Sequence, residues 1–289
     1  MNHRSGVWGV LGQMGLAVAA ASCAAPLIRL TETAPLTIAF WRVLLAAGGA
    51  WLIMAVAKPS CSQTRSPGAV TWLAGMFLGL HFWAWITSLQ FTSVANSVLL
   101  VATQPVWAAL LGRLFVKEKV PLTGWIGIGV AFAGCLLTVE VSGIQLQGDL
   151  LALLGAVLAA VYLVLGRGQR KTLGLLPYVT HLYTAAACTL ALLVLLTHEP
   201  WTANQTGDWW ILIALAAIPT AIGHSIYNKL LKVAPAYIVA TGITAEPIGA
   251  SLLALWWLGE APPQQTLLAA PIVLTGIFLV GWSLRRETK

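Results

Sequence analysis

The chain has 289 residues, of which 58% are hydrophobic and only 9% are charged. A water-soluble domain normally carries about 25% charged residues, so this composition excludes a soluble protein and indicates an integral membrane protein. The net charge of +7 does not indicate a nucleic-acid partner, because no basic face outside the apolar segments is interleaved with aromatic residues.

Ten apolar segments follow one another along the chain. A helix of roughly 20 apolar residues crosses the hydrocarbon core of a bilayer. We therefore predict an all-α membrane protein with ten transmembrane helices and loops too short to form a soluble domain. The predicted spans lie near residues 7–28, 35–57, 70–91, 94–115, 122–140, 149–166, 175–197, 209–229, 235–258 and 266–284.

The basic residues set the predicted orientation of these spans. All but two of the 16 Lys and Arg residues fall on one side of the ten-span arrangement. Arg29 falls on the other side, and Arg42 lies inside the second span. Positive residues concentrate on the cytoplasmic side of membrane proteins. We therefore expect a multi-pass protein of the inner cell membrane with both termini in the cytoplasm.

The two halves of the chain share landmarks at a constant offset of 142 residues. Gln104-Pro105 corresponds to Glu246-Pro247, and Glu118 corresponds to Glu260. Each half carries five spans, an odd number, so the second half crosses the membrane in the opposite sense. Inverted repeats of this kind are typical of secondary transporters, with a substrate site where the repeats meet. The predicted repeats cover residues 7–140 and 149–284.

Two ionisable residues lie inside predicted spans, where a charge costs about 2.5–3.5 kcal/mol. Glu246 lies at the middle of the ninth span, roughly 16 Å from either end, whereas Arg42 lies only about 10 Å from the outer end of the second. The hypothesis is that Glu246 exchanges protons or binds a substrate amine. We expect polar neighbours such as His224, Asn228 or His81 to orient its carboxyl group. The alternative is that Glu246 is a structural partner of a buried arginine or of free backbone groups.

The prolines beside the two equivalent polar residues predict interrupted helices. Pro247 has no N–H, so the carbonyl of Ile243 loses its helical partner, and Pro105 does the same to Val101. Free carbonyls at this depth are tolerated only where protein or a watery cavity covers them. We therefore predict that Pro105 and Pro247 act as hinges beside Gln104 and Glu246.

Further polar side chains recur at helical spacing, and we expect them to face the interior of the bundle because lipid cannot satisfy them. A histidine suits proton coupling, although each histidine is equally explained by a hydrogen bond between helices. Aromatic members of this set are expected to line or close the cavity. The set comprises His81 and Trp85 in span three, Gln104 and Trp107 in span four, and His224, Tyr227 and Asn228 in span eight.

Motifs for catalysis or nucleotide binding are missing from the sequence. We therefore expect no enzyme, no cofactor and no metal site, with energy supplied by an ion or solute gradient. The four cysteines lie in different segments without paired spacing, and we expect them to be small apolar residues in helices.

Four parts of the sequence are similar to a known family. They are one long segment near the end of each half, the segment GHSIYNKLL from Gly223, and the arginine of FWR at Arg42. With these segments the chain resembles the drug/metabolite transporter superfamily of the EamA type, over about residues 7–284. The resemblance implies an alternating-access carrier, usually an exporter of amino acids, metabolites or drug-like compounds, with a central cavity built by both repeats. The two closing segments read ANSVLLVATQPVWAALLGRLFVKE from Ala95 and AYIVATGITAEPIGASLLALWWLGE from Ala236.

Three classes of function follow from these observations. The favoured one is a secondary active transporter that exports small molecules, with the bilayer, its solute and candidate coupling protons as partners. A channel-like or structural membrane protein would need a continuous polar stripe along several helices, whereas the polar residues here cluster at mid-depth. An integral-membrane enzyme would need a catalytic cluster at one interface. Both a monomer and a homodimer are compatible with the sequence.

Overall fold

The computed structural model describes residues 3–57, 67–92, 94–137, 145–259 and 264–283. Every regular element within these ranges is a helix, so the all-α prediction is confirmed. The helices are α1 His3–Ser22, α2 Ala24–Ile28, α3 Pro35–Ala57, α4 Ala69–Phe91, α5 Val94–Val101, α6 Gln104–Phe115, α7 Leu122–Leu137, α8 Leu146–Arg170, α9 Leu175–Thr197, α10 Asp208–Leu215, a π-helical segment Ala216–His224, α11 Ser225–Leu230, α12 Ala236–Ile243, α13 Glu246–Leu258 and α14 Gln264–Ser283.

Seven helical segments within the described residues are long and apolar enough to cross a membrane. They coincide with predicted spans one, two, three, six, seven, eight and nine. The other three predicted spans coincide with shorter apolar helices over Leu99–Phe115, Leu122–Leu137 and Leu267–Ser283. A multi-pass membrane protein is therefore confirmed, whereas the count of ten spans stays a prediction.

Two spans are interrupted at equivalent positions in the two halves. α5 ends at Val101 and α6 begins at Gln104, while α12 ends at Ile243 and α13 begins at Glu246. Each first helix therefore ends at the residue whose carbonyl the following proline leaves without an N–H partner. The backbone N–H of Thr103 donates to Leu100 at 3.2 Å, and its counterpart at residue 245 donates to Gly242 at 3.1 Å. Tight turns of this kind join the two half-helices in each repeat.

Span eight contains an interruption of a different kind. Residues Ala216–His224 form a π-helical segment with Pro219 inside it. The carbonyl four residues before this proline belongs to Leu215, and it accepts a hydrogen bond from the Thr220 hydroxyl at 2.8 Å. The threonine side chain therefore replaces the missing N–H, and π-helical turns of this kind occur often at functional sites.

Packing between the halves follows the pattern expected for a pseudo-two-fold axis. Across the halves, α3 packs on α9, α6 on α12 and α7 on α14, which pairs each span with its own repeat equivalent. The α4–α8 contact corresponds to that of α1 with the π-helical segment, and the α6–α8 contact corresponds to that of α1 with α13. These pairings fit a two-repeat architecture in which the halves interlock.

Glycines allow the closest of these contacts, as lipid gives no hydrophobic force for helix association. A methyl group at Gly127 of α7 would lie 2.8 Å from the carbonyl oxygen of Gly276 in α14, and one at Gly134 would lie 2.9 Å from the amide nitrogen of Val273. Gly134 and Gly276 are repeat equivalents. By contrast, a methyl group at Gly129 would meet no atom within 4 Å, so this glycine has no such packing role.

The turn that ends the interrupted span has the same backbone conformation in both halves. Lys117 has φ 57° and Gly259, which is its repeat equivalent, has φ 71°. Left-handed backbone costs an L-amino acid roughly 1–2 kcal/mol and glycine almost nothing. The next residue in each half is one of the paired glutamates, although Glu260 itself lies outside the described residues.

We expect Gly259→Ala to lower the melting temperature of the purified protein by roughly 2–4 °C, because it introduces about 1 kcal/mol of backbone strain. A methyl group at Gly259 meets no atom within 4 Å, so crowding does not contribute. Lys117→Ala is the matched control and should leave the melting temperature unchanged, because lysine and alanine bear the same strain in this left-handed conformation. Equal melting temperatures for the two variants would contradict the expectation.

Three of the four cysteines lie in the described part of the chain. Cys23 and Cys135 are buried within helical packing, while Cys188 is exposed. The absence of a disulfide framework stays a prediction. Cys61 lies outside the described residues.

Candidate functional site

Glu246 lies at the first position of α13, where the interruption of span nine exposes the helix start. Its side chain is partly buried, and its Oε1 atom accepts a hydrogen bond from the Tyr227 hydroxyl at 2.8 Å. Its backbone carbonyl accepts a hydrogen bond from the Ser22 hydroxyl of α1 at 3.1 Å. Spans one, eight and nine therefore meet at this residue. The sequence predicted that His224, Asn228 or His81 would orient Glu246, whereas the observed donor is Tyr227.

Arg42 is the second charged residue of this region, and only 1% of its surface is exposed. Its Nε atom donates to the Thr220 hydroxyl at 3.0 Å. Its guanidinium carbon lies 4.4 Å from the centre of the Phe82 ring. Arg42 also lies within electrostatic range of Glu246. The bundle therefore holds an arginine and a glutamate of opposite charge in one buried region.

The two histidines flank Phe82 on neighbouring helices. The Nδ1 atom of His81 lies 2.9 Å from the carbonyl oxygen of Gly155, which only accepts, so this nitrogen carries a proton. The His81 ring stacks against Trp85 with an interplanar angle of 4°. The His224 ring meets Phe82 edge to face at 5.2 Å and Tyr227 at 6.0 Å. A continuous series of ring contacts therefore runs from Trp85 to Tyr227, whose hydroxyl donates to Glu246.

Four buried tyrosines surround this polar region, and the sequence analysis had selected only Tyr227. The Tyr183 hydroxyl donates to the carbonyl oxygen of Thr220 at 3.1 Å and lies 3.0 Å from the Ser225 hydroxyl. Tyr162 lies within electrostatic range of Glu246 and Tyr183. Tyr183 therefore joins span seven to span eight, and Tyr162 of span six lies near the same region. The four tyrosines are Tyr162, Tyr178, Tyr183 and Tyr227.

The sequence model of the EamA-like transporter family matches residues 7–140 and 146–282, which together cover nearly the whole chain. The chain belongs to the EamA-like transporter family. Each half of the protein matches the family separately, as a chain built from two copies of one unit should. The resemblance inferred from the closing segments is therefore confirmed.

Relatives of this EamA-like protein are named as transporters. The chain is 28% identical to an uncharacterized transporter of Bacillus subtilis, YdfC, over 70% of this chain and 67% of the relative. It is 24% identical to a riboflavin transporter of Vibrio cholerae, over 73% of this chain and 70% of the relative. A solved crystal structure superposes with a TM-score of 0.82 at 19% identity, covering 96% of this chain and 99% of the other. That likeness supports the fold, and the transporter names support a role in transport.

Six of the nine predicted binding or coupling residues of this EamA-like protein form one connected group. Phe82 of α4 contacts Arg42 of α3 and His224 of the π-helical segment. Thr220 of the π-helical segment accepts a hydrogen bond from Arg42. The connection runs from Trp85 and His81 through Phe82 to Arg42 and His224, and from there through Tyr227 to Glu246.

The other three predicted residues are Asn228, Gln104 and Trp107. Asn228 donates from its side chain to the carbonyl oxygen of His224 at 2.8 Å, so it supports the helix that carries His224. Gln104 is 3% exposed and begins α6, at the position that Glu246 occupies in the other repeat. Trp107 donates to the Thr103 hydroxyl at 3.2 Å and thus braces the interruption before it.

A charged network that the sequence analysis missed lies at the end of the bundle where basic residues concentrate. Arg167 donates to Glu118 Oε1 at 2.6 Å and to the carbonyl oxygens of Leu231 and Lys232 at 2.8 and 2.9 Å. This one side chain therefore joins α8 to the loop after α6 and to the turn after α11. The network bridges the two halves at this end of the bundle.

Proposed function

We propose that this protein is a secondary active transporter of the inner membrane that exports small organic solutes, such as amino acids or drug-like compounds, by alternating access. The observation that carries the proposal is the buried group around Glu246, in which a carboxyl group begins a half-helix and receives a hydrogen bond from Tyr227. A carboxyl group at such a depth is retained at a cost, and in membrane proteins that cost is typical of functional sites.

Alternating access requires a site that both sides can reach in turn, with helices that can bend beside it. The equivalent interruptions before Gln104 and Glu246 supply flexible points in both halves, and Pro105 and Pro247 are the proposed hinges. The named transport of riboflavin by the Vibrio cholerae relative supports a small organic solute as the cargo. In this proposal Glu246 couples transport to protons or recognises a solute amine, with Arg42 and the two histidines beside it.

The experiment that tests this function is counterflow in proteoliposomes that contain the purified protein. Vesicles preloaded with an unlabelled solute should transiently accumulate the labelled solute from outside, which a carrier does and a channel cannot do. The panel should include amino acids, riboflavin and cationic drugs, chosen first by their effect on the melting temperature. Flux of a labelled solute without counterflow would favour the channel-like alternative.

The orientation of the proposed transporter gives an independent prediction. A reporter that fluoresces only in the cytoplasm, fused after Lys289, should be active, and a reporter that works only in the periplasm should be silent. The physical reason is the strong one-sided distribution of Lys and Arg residues. A periplasmic carboxyl terminus would contradict the predicted orientation, and together with a cytoplasmic amino terminus it would also contradict the ten-span arrangement.

A further inference from the structure

We propose that Arg42 binds an anionic group of the transported solute, a carboxylate or a phosphoryl group, and that Thr220 is the positioning residue that holds its guanidinium for this purpose. The inference rests on the proposed function, because it assigns a substrate chemistry to the same buried site. Relatives of the chain carry names that specify no anionic group, so the assignment depends on the contacts of Arg42 alone.

The guanidinium of Arg42 has unused hydrogen-bonding capacity. A guanidinium has five N–H donors, and a buried donor without a partner costs about 1–3 kcal/mol. The Nε atom is taken by Thr220, whereas Nη1 is buried and has no partner among the residues that the structure describes. An acceptor on the solute would satisfy this donor, and an anionic oxygen would do so most strongly.

A second donor is available beside the first. The Phe82 ring lies under the guanidinium at 4.4 Å and meets the His224 ring at 5.2 Å, so both polar groups border the same ring. The Nδ1 atom of His224 is buried, and nothing in the described part of the chain bonds to it. In the tautomer with a proton on Nδ1, His224 would donate to the same anion as Arg42. The aromatic surface of Phe82 would cover the apolar part of the solute.

Thr220 fixes the direction of the arginine through the unusual helix around it. Its hydroxyl proton is committed to the Leu215 carbonyl, which Pro219 leaves free. Its oxygen lone pairs therefore face Arg42 Nε and accept the hydrogen bond at 3.0 Å. The π-helical segment thus produces an oriented acceptor, and this acceptor holds one edge of the guanidinium while Nη1 stays available.

Glu246 sets the electrostatic balance of the proposed anion site. In the solute-free protein its carboxylate is the opposite charge within range of Arg42. A solute anion would compete with that carboxylate for the arginine, because two anions beside one cation repel each other. Glu246→Gln should therefore bind a solute anion more tightly than the unchanged protein does.

The test measures the melting temperature of the full-length purified protein with sodium benzoate, with benzamide as its neutral counterpart of the same shape, and with sodium phosphate. We expect benzoate or phosphate at ten times its Kd to raise the melting temperature by roughly 3–5 °C, and benzamide to have little effect. Arg42→Gln should abolish this difference. The matched control is Arg113→Gln, which removes an exposed arginine of α6 and should preserve the difference.

The outcomes distinguish binding of a carboxylate, binding of a phosphoryl group and general binding of anions to the protein. A response to benzoate alone that depends on Arg42 assigns a carboxylate, and a response to phosphate alone assigns a phosphoryl group. A rise that persists in Arg42→Gln reflects general anion binding to a basic protein and would overturn the proposal. Stabilisation of the unchanged protein by riboflavin with no response to either anion would also overturn it.

Variants at Thr220 keep the proposal testable if Arg42→Gln does not fold. Thr220→Val preserves the shape and the buried arginine but removes the hydroxyl, so we expect about a tenfold loss of anion affinity, as for one charge-assisted hydrogen bond. Thr220→Ser should restore it. Equal anion affinity in Thr220→Val and the unchanged protein would refute the positioning role.

The variant Glu246→Gln distinguishes failure of this inference from failure of the proposed function. If Glu246→Gln transports normally while the Arg42-dependent anion response persists, the coupling role falls and the anion site stands. If Glu246→Gln loses gradient-driven transport but the anion response is independent of Arg42, the coupling role of Glu246 stands and the anion site at Arg42 is refuted.

Discussion

Replacement of Glu246 by Gln is expected to abolish gradient-driven transport while leaving solute exchange intact. The amide keeps the shape of the side chain and can still accept the hydrogen bond from Tyr227, so insertion and folding should be unchanged. It cannot bind or release a proton, so a carrier that couples through this group would lose its drive. The measurement compares uptake into proteoliposomes with an imposed proton gradient against exchange without one.

Glu32→Gln is the matched control for this prediction. Glu32 is an exposed carboxyl group in the turn between α2 and α3, far in sequence from the interrupted spans. Its replacement removes the same charge and should leave both driven uptake and exchange at the level of the unchanged protein. Because both variants lose one carboxyl group, a difference in transport between them shows that the position of the carboxyl group matters.

Each other result at Glu246 has a defined meaning. Loss of both driven uptake and exchange would indicate that the carboxylate binds a solute amine. Normal uptake at matched expression would show that Glu246 only braces the bundle against Tyr227 and Ser22. In that case the proton-coupling role would pass to His81 or His224 as the next candidates.

Gly127→Ala is expected to lower the melting temperature by roughly 3–9 °C, because overpacking a tight contact costs about 1–3 kcal/mol and each kcal/mol corresponds to a few degrees. The new methyl group would lie 2.8 Å from both the Gly276 carbonyl oxygen and the Val280 amide nitrogen. These are backbone atoms, so α14 must move away as a unit. The measurement is thermal unfolding of the purified protein in detergent.

Gly129→Ala, two residues along the same helix, is the matched control. A methyl group there meets no atom within 4 Å, so only the helix preference of alanine remains. That preference should raise stability by about 0.5–1 kcal/mol. Equal melting temperatures for Gly127→Ala and Gly129→Ala would show that α7 and α14 do not pack this closely in the membrane protein.

The interrupted helices were predictable from the sequence because proline acts locally. A residue without an N–H leaves one defined carbonyl free, whatever surrounds it, and α5 and α12 end at the residues that Pro105 and Pro247 indicate. The prediction of two repeats rests on a similarly local signal, since a constant offset is visible without any knowledge of packing, and the packing of the halves fits it. The burial of Arg42 was not predicted, because a position about 10 Å from the outer end of its span left its long side chain within reach of water. In the structure only 1% of its surface is exposed.

The π-helical segment could not be predicted from Pro219 in the same way. A proline in a helix indicates a kink, but the wider turn also depends on groups far away in sequence. Arg42 binds the hydroxyl of Thr220 and Tyr183 binds its carbonyl, from positions 178 and 37 residues away. Tertiary contacts therefore decide the geometry at this position.

The buried tyrosines were missed because a single tyrosine in an apolar helix has no pattern of its own. Tyr162 is surrounded in sequence by alanine, valine and leucine, and its ring is as apolar as theirs. Only the approach of α8 to the interrupted spans gives its hydroxyl group a polar neighbourhood.

The pairing of Gln104 with Glu246 has a consequence for the energy of the working cycle. In an alternating-access carrier built from inverted repeats, exchanging the conformations of the two halves turns one open state into the other, so equal halves would give two states of equal free energy. Here the half-helix of one repeat begins with a neutral amide and that of the other with an acid. In the proposed mechanism the shapes of the two states are therefore related by symmetry, while protonation of Glu246 stabilises them unequally. The double exchange Gln104→Glu with Glu246→Gln should then reverse which state predominates.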